Sequence, residues 1–232
     1  MNRLLSVSLI ALTLAAGATP KIVAQSPALQ KGISVELAAT SNAAPMPDAD
    51  NADAWIVTIT ENGSVYFGTD PVTPAALADE MKSRPRDREQ KLYVKADAGT
   101  PYANVERVIA AARDTFFEAP VLLTSQPEAS APGPVTPPEG LEVWVGASPF
   151  GSQSIMVQAL DSKQQQSPIL KINHQPVSWE ALRSTLTQAF QNRSDKVILL
   201  NADGQLSFAQ VVRVIDTCRS MGAKVVLVTP GI

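Results

Sequence analysis

Asp97 and Asp203 are the side chains whose placement first suggests chemistry. Each follows an alanine at the end of a short apolar run, and each precedes a helical pattern. Two carboxylates can divide general acid and base work when their surroundings split their pKa values. The structural alternative is that each aspartate closes a strand and organises the turn into a helix. Tyr102 and Phe208 stand five residues beyond these aspartates, at the starts of the two helices. They could meet a partner, or pack against a sheet edge. Asp97, Tyr102, Asp203 and Phe208 together form the candidate partner-binding set.

The remaining chemistry is sparse. The chain of 232 residues has one histidine, His174, and one cysteine, Cys218. No intrachain disulfide and no cysteine-based zinc cluster can form. His174 lies in Asn173-His174-Gln175-Pro176, a turn sequence, and is expected in solvent. A Ser-His-Asp triad would have to centre on it, and no Gly-x-Ser-x-Gly elbow accompanies it. Cys218 falls on the inward face of a helical pattern, which suits a packed thiol rather than a reactive one. There is no phosphate loop and no dinucleotide glycine pattern. No catalytic, cofactor or metal residue is therefore assigned, and no enzyme is expected. The net charge of −3 offers no basic face for a nucleic acid.

The elements that must position these residues follow from periodicity and caps. Trp55 to Thr60 and Val65 to Phe67 are strands flanking Asn62-Gly63, a hairpin signal. Thr73 and Thr100, each followed by proline, are expected to start helices. Val105, Val108, Ile109, Ala112 and Phe116 mark one face of the second. Leu92 to Ala96 and Val121 to Thr124 are buried strands. The second half repeats the order. Ile155 to Leu160, Ile169 to Ile172, Val197 to Leu200 and Val225 to Val228 are strands, and Ser178 and Ser207 cap helices. Ile33 to Leu37 and Leu141 to Val145 are leading strands. The predicted class is α/β (α+β): two tandem small units, each a mixed sheet with two helices on one face. Either Val121–Thr124 or Val226–Thr229, if at an edge, could accept a partner peptide as an added strand. Arg84 to Glu89 alternates charges and is expected as solvated surface.

The halves are copies. Pro71-Val72-Thr73 matches Pro176-Val177-Ser178, Ala96-Asp97 matches Ala202-Asp203, and Arg107-Val108-Ile109 matches Arg213-Val214-Ile215. Val121 to Thr124 then matches Val226 to Thr229. The spacing stays at 105 or 106 residues throughout, as a duplication requires. Thr40 to Asp53 and the proline-rich stretch Pro127 to Gly140 lack apolar periodicity and are expected as linkers. The expected units are 28–126 and 141–232, joined by 127–140.

The N-terminus has the form of an export signal. Met1-Asn2-Arg3 is basic, Leu4 to Ala18 is uncharged and mostly apolar, and Ala16-Gly17-Ala18 has the small-x-small form of a cleavage site. Residues 1–24 are either a cleaved signal peptide or a retained inner-membrane anchor, and both place the remainder outside the cytoplasm.

The ordered set of motifs resembles the ExbD/TolR family. Val94-Lys95-Ala96-Asp97, Pro101-Tyr102, Val105 and Val108-Ile109 resemble a family segment in which Ala-Asp ends a strand and Pro-Tyr opens a helix. Gly63 to Phe67 with Pro71-Val72-Thr73, and Gln30 to Leu37, are similar to two further family stretches. In the second copy Ser207-Phe208 replaces Pro-Tyr. The resemblance covers residues 28–128 and, more weakly, 141–232. It implies a biopolymer transport component of the cell envelope that needs no organic cofactor. It implies partners of ExbB/TolQ and TonB/TolA type, peptidoglycan as a further ligand, and a dimeric arrangement that the two copies could imitate within one chain. The family's membrane helix carries a proton-relaying aspartate, but Leu4 to Ala24 contains no Asp or Glu. The alternative reading is a stand-alone periplasmic module binding peptide or peptidoglycan.

Overall fold

The computed structural model describes residues 32–87, 89–125, 137–146, 154–163 and 167–229. The N-terminal segment 1–24 and the stretch 126–136 lie outside them. Among the described residues, no helix is long and apolar enough to cross a membrane.

The elements of the first half are β1 (Ala44–Pro45), a 3₁₀ turn (Pro47–Asp50), β2 (Trp55–Ile59), β3 (Val65–Phe67), β4 (Asp70–Val72), α1 (Leu77–Ser83), β5 (Leu92–Ala96), α2 (Tyr102–Asp114) and β6 (Val121–Thr124). Then follow β7 (Glu139–Glu142), β8 (Trp144–Gly146), β9 (Ile155–Leu160), β10 (Ile169–Ile172), β11 (Gln175–Val177), α3 (Trp179–Phe190), β12 (Val197–Ala202), α4 (Phe208–Arg219) and β13 (Lys224–Val228). They form a mixed α/β fold with two sheets, in the orders β1-β7-β6-β5-β2-β3-β4 and β11-β10-β9-β12-β13-β8. Parallel β2–β5–β6 in one sheet corresponds to parallel β9–β12–β13 in the other.

Asn62-Gly63 closes the β2–β3 hairpin, with Gly63 at φ +81° and the Asn62 carboxamide accepting from Ser64 N–H. The β10–β11 turn, the counterpart of the β3–β4 turn in the first half, uses Asn173 and His174, both at positive φ (47° and 70°). His174 is exposed there, as a turn residue should be. A two-residue turn with both φ positive favours glycine at the second position. His174→Gly should therefore raise stability by up to about 1 kcal/mol, read from urea denaturation.

Several expectations need correction. Val121–Thr124 and Val226–Thr229 are not edge strands. β6 lies between β5 and β7, and β13 between β12 and β8. Their ladders are filled on both sides, so neither can take an added strand. Thr40 to Asp53 is not a bare linker. It carries β1 and the 3₁₀ turn, and Ala49 is buried against Ile56, Tyr93, Val121 and Leu123 on the sheet face opposite the helices. Three small or flexible apolar residues (Met46, Ala49 and Ala54) accomplish this, too few to create a periodic signal. That cover explains why β2 is buried at every position while β9 alternates.

Ile33 to Leu37 forms no regular strand; nearby pairing is limited to the Leu37–Asp97 and Ala39–Ser125 bridges. The segment expected to lead the second unit is divided. β7 joins the first sheet against β6, and β8 joins the second against β13. Arg84 and Arg86 are not merely solvated. Their guanidinium carbons lie 4.2 Å and 4.0 Å from the ring centres of Phe67 and Phe117. Such stacking recovers electrostatic attraction while leaving the charge wet. Finally, α1 starts at Leu77, a turn later than the Thr73-Pro74 pair suggests, although Thr73 Oγ still accepts from Ala76 N–H at 3.3 Å.

One apolar core runs through both halves. It joins Val57, Val94, Tyr102 and Val108 of the first to Val157, Leu200, Phe208 and Val211 of the second.

Candidate partner-binding junction

Both aspartates are turn organisers. Asp97 Oδ1 accepts from Gly99 N–H at 2.9 Å and Oδ2 from Glu36 N–H at 3.1 Å. Asp203 Oδ1 accepts from Gln205 N–H at 2.9 Å. In each case the aspartate's own N–H continues the ladder, to Ile59 O and to Ala159 O, both at 2.8 Å. A carboxylate that caps amide groups in this way directs the chain from strand to helix.

What sequence reading missed is that the two turns meet. Tyr102 N–H donates to Leu206 O and Phe208 N–H donates to Thr100 O, both at 2.8 Å. Ala103 N–H donates to Gly204 O and Ala209 N–H to Ala98 O, both at 3.0 Å. Pro101 and Ser207 face each other in an antiparallel bridge. Shifting one half by 106 residues exchanges each bond with its partner, so the junction has a local pseudo-two-fold axis.

The chemistry follows from helix ends. The first N–H groups of a helix have no intrahelical acceptor. Here each helix supplies its first two amides to carbonyls of the opposite turn. Burying them without acceptors would cost roughly 1–3 kcal/mol each. Pro101, not Thr100, occupies the cap position of α2, where a missing N–H leaves nothing unsatisfied. The Thr100 carbonyl is thereby free to accept from the other half. Ser207 instead makes a full capping box, with its side chain accepting from Gln210 N–H and its own N–H donating to Gln210 Oε1 at 2.9 Å. The Pro-Tyr to Ser-Phe change thus keeps the cap by a different device.

The rings of Tyr102 and Phe208 are buried within the common core. Burial, with Glu106 nearby, pushes the Tyr102 phenol well up, so it stays protonated. The four sequence candidates are therefore gathered at one place, two turn carboxylates outside and two rings inside.

Further contacts join the halves. Asp216 of α4 accepts from Ser41 and Asn42 N–H at 3.1 and 2.9 Å. Arg113 of α2 donates to Thr229 Oγ at 2.8 Å. None of these is visible from spacing alone, because the partners lie more than a hundred residues apart and two of the five groups are backbone amides.

Cys218 is buried on α4, and burial pushes its thiol up to about 12. It should react with a thiol reagent only as fast as the fold opens, and at once in denaturant. Prompt labelling of the native chain would contradict this packing. Among the described residues, no group of three or more His, Cys, Asp or Glu side chains could hold a metal ion.

The fold and junction define an internally duplicated α/β module whose copies are bound to each other through their helix starts. The family model for biopolymer transport protein ExbD/TolR matches this chain twice, over residues 19–127 and 114–230. The chain belongs to the ExbD/TolR family of biopolymer transport proteins, in two tandem copies. A search of the curated proteins finds no significant match.

Proposed function

We propose that the chain is the protein-binding, periplasmic part of a proton-motive-force-coupled envelope transport system, acting as a pseudo-dimer within one chain. The observation that carries this reading is the reciprocal junction in a chain matched twice by the ExbD/TolR family. Its proposed partners are of ExbB/TolQ type in the inner membrane and TonB/TolA type in the periplasm, with peptidoglycan as a further ligand. The units 28–126 and 141–232 serve as the two halves of that pseudo-dimer, tethered by 127–138, with Glu139–Glu142 completing the first sheet before the chain enters the second. A tether of this size holds two units at roughly millimolar effective concentration. Asp97, Tyr102, Asp203 and Phe208 serve partners by setting the angle between the halves. The chain is not an enzyme and needs no cofactor. It relays no protons itself, since Leu4 to Ala24 holds no carboxylate.

That same missing carboxylate favours a second reading, a stand-alone periplasmic module for peptide or peptidoglycan. The test is purification of the native protein from cell envelopes, with its N-terminus and co-purifying subunits identified by mass. Retention of residues 1–24 together with motor-type membrane subunits supports the first reading. A chain beginning at Thr19 or Gln25 and free of membrane subunits refutes it in favour of the second.

A further inference from the structure

Ala103, Glu106, Ala110 and Arg113 line one face of α2, at helical spacing. Both ends of that face meet the second half. Ala103 N–H donates to Gly204 O at 3.0 Å, and Arg113 donates to Thr229 Oγ at 2.8 Å. Glu106 lies between them and is half-buried. The matching residue on α4, 106 positions on, is Val212, which is completely buried. Its neighbour one turn back changes with it, from Tyr102 in the first copy to Phe208 in the second. The same contact is therefore apolar from one side and carries a carboxyl and a phenol from the other.

The carboxyl is not there to make a salt bridge. Among the described residues Glu106 has no hydrogen-bond or ion-pair partner. The elements packed against α2 are α1, α4, β2, β5 and β8. β2 and β8 carry no charged side chain. Lys95 of β5 points to the other sheet face, toward Asp50, because its neighbours Val94 and Ala96 face the core. On α1, Asp79, Glu80 and Lys82 are exposed. On α4, Arg213 stacks on Trp179, Asp216 holds the Ser41 and Asn42 amides, and Arg219 stands in the last turn. Asp203, in the turn facing Ala103, caps Gln205 N–H. On α2 itself Arg107 bonds Asn104, and Arg113 bonds Asp114 as well as Thr229. Burial is what acts on the Glu106 carboxyl, and it raises the pKa from the ordinary value.

We propose that Glu106 makes the contact between the two halves responsive to protons, holding it more tightly when the carboxyl is neutral than when it is charged. A neutral acid can be half-buried against the second half at little cost, whereas a carboxylate there must give up water with no partner in return. The sign follows. The added stability is fully present below the pKa of the unfolded chain, ~4.3, and is lost as pH rises through the higher folded value. The inference concerns the contact between the halves and does not rest on the transport reading.

The test is hydrogen exchange at the Tyr102, Ala103 and Phe208 amides, which close the junction, in the wild type, Glu106→Gln and Glu106→Val. At about pH 7.5, E106Q should be protected roughly fivefold more than the wild type, since it removes the charge and keeps the shape. Near pH 4 the two should coincide. E106V, which copies the second half, should exceed the wild type at the higher pH as well. A carbon-13 titration of the Glu106 carboxyl in the folded chain should give a midpoint above that of a free glutamate. Equal protection of wild type and E106Q at both pH values, weaker protection of both variants at the higher pH, or an ordinary carboxyl midpoint would each overturn the proposal.

Discussion

Phe208→Ala should destabilise the protein by about 3–5 kcal/mol and loosen both halves together. The ring is completely buried, at the start of α4, in a core shared with the first half. Its removal leaves a cavity beside the junction, and the surrounding sheet can close on it only in part. The loss is comparable with the whole stability of many domains of this size. Position 208 also donates the amide that meets Thr100 O. Loss of hydrogen-exchange protection should therefore appear at Tyr102 and Ala103, in the other half, as well as along α4. Urea denaturation of the wild type should show one transition, because one core runs through both copies. Two separated transitions, or exchange changes confined to α4, would refute that cooperativity.

The second large effect concerns Gly140 in β7. A β-carbon built there comes within 2.5 Å of Val121 Cγ1 and 2.9 Å of the Leu122 carbonyl oxygen. The second atom is backbone and cannot step aside. Gly140→Val should cost about 3 kcal/mol, at the upper end of overpacking, because the β6–β7 pairing must give way. β7 and β8 are separated only by Val143, which is itself buried. Displacing β7 should thus disturb β8 on the second sheet. Thermal unfolding with near-ultraviolet circular dichroism of Trp144 would read this, since Lys224 Nζ sits 3.3 Å from its ring centre. An unshifted melting temperature would show that β7 is dispensable.

Much of each unit was legible in the chain. The apolar face of α4, that of α2 from Val105 to Ala112, the Ser178 and Ser207 caps and the Asn62-Gly63 hairpin stand where local patterns place them, whereas Phe116, expected on the α2 face, lies past the helix end and is exposed. These features depend on neighbours within a few residues, so composition and spacing carry them. The repeat, and with it the ExbD/TolR kinship, was legible for the same reason. A duplicated unit preserves its own local code.

The tertiary structure decided the rest. It brought the Thr100–Ala103 and Gly204–Ala209 stretches together and split residues 139–146 between two sheets. It also folded 44–50 over a sheet face and stacked Arg84 and Arg86 on rings. The junction is made of backbone N–H and C=O groups, which every residue except proline carries in the same form. Such groups leave no mark on residue type, so only the meeting of the two turns in space reveals which amides pair.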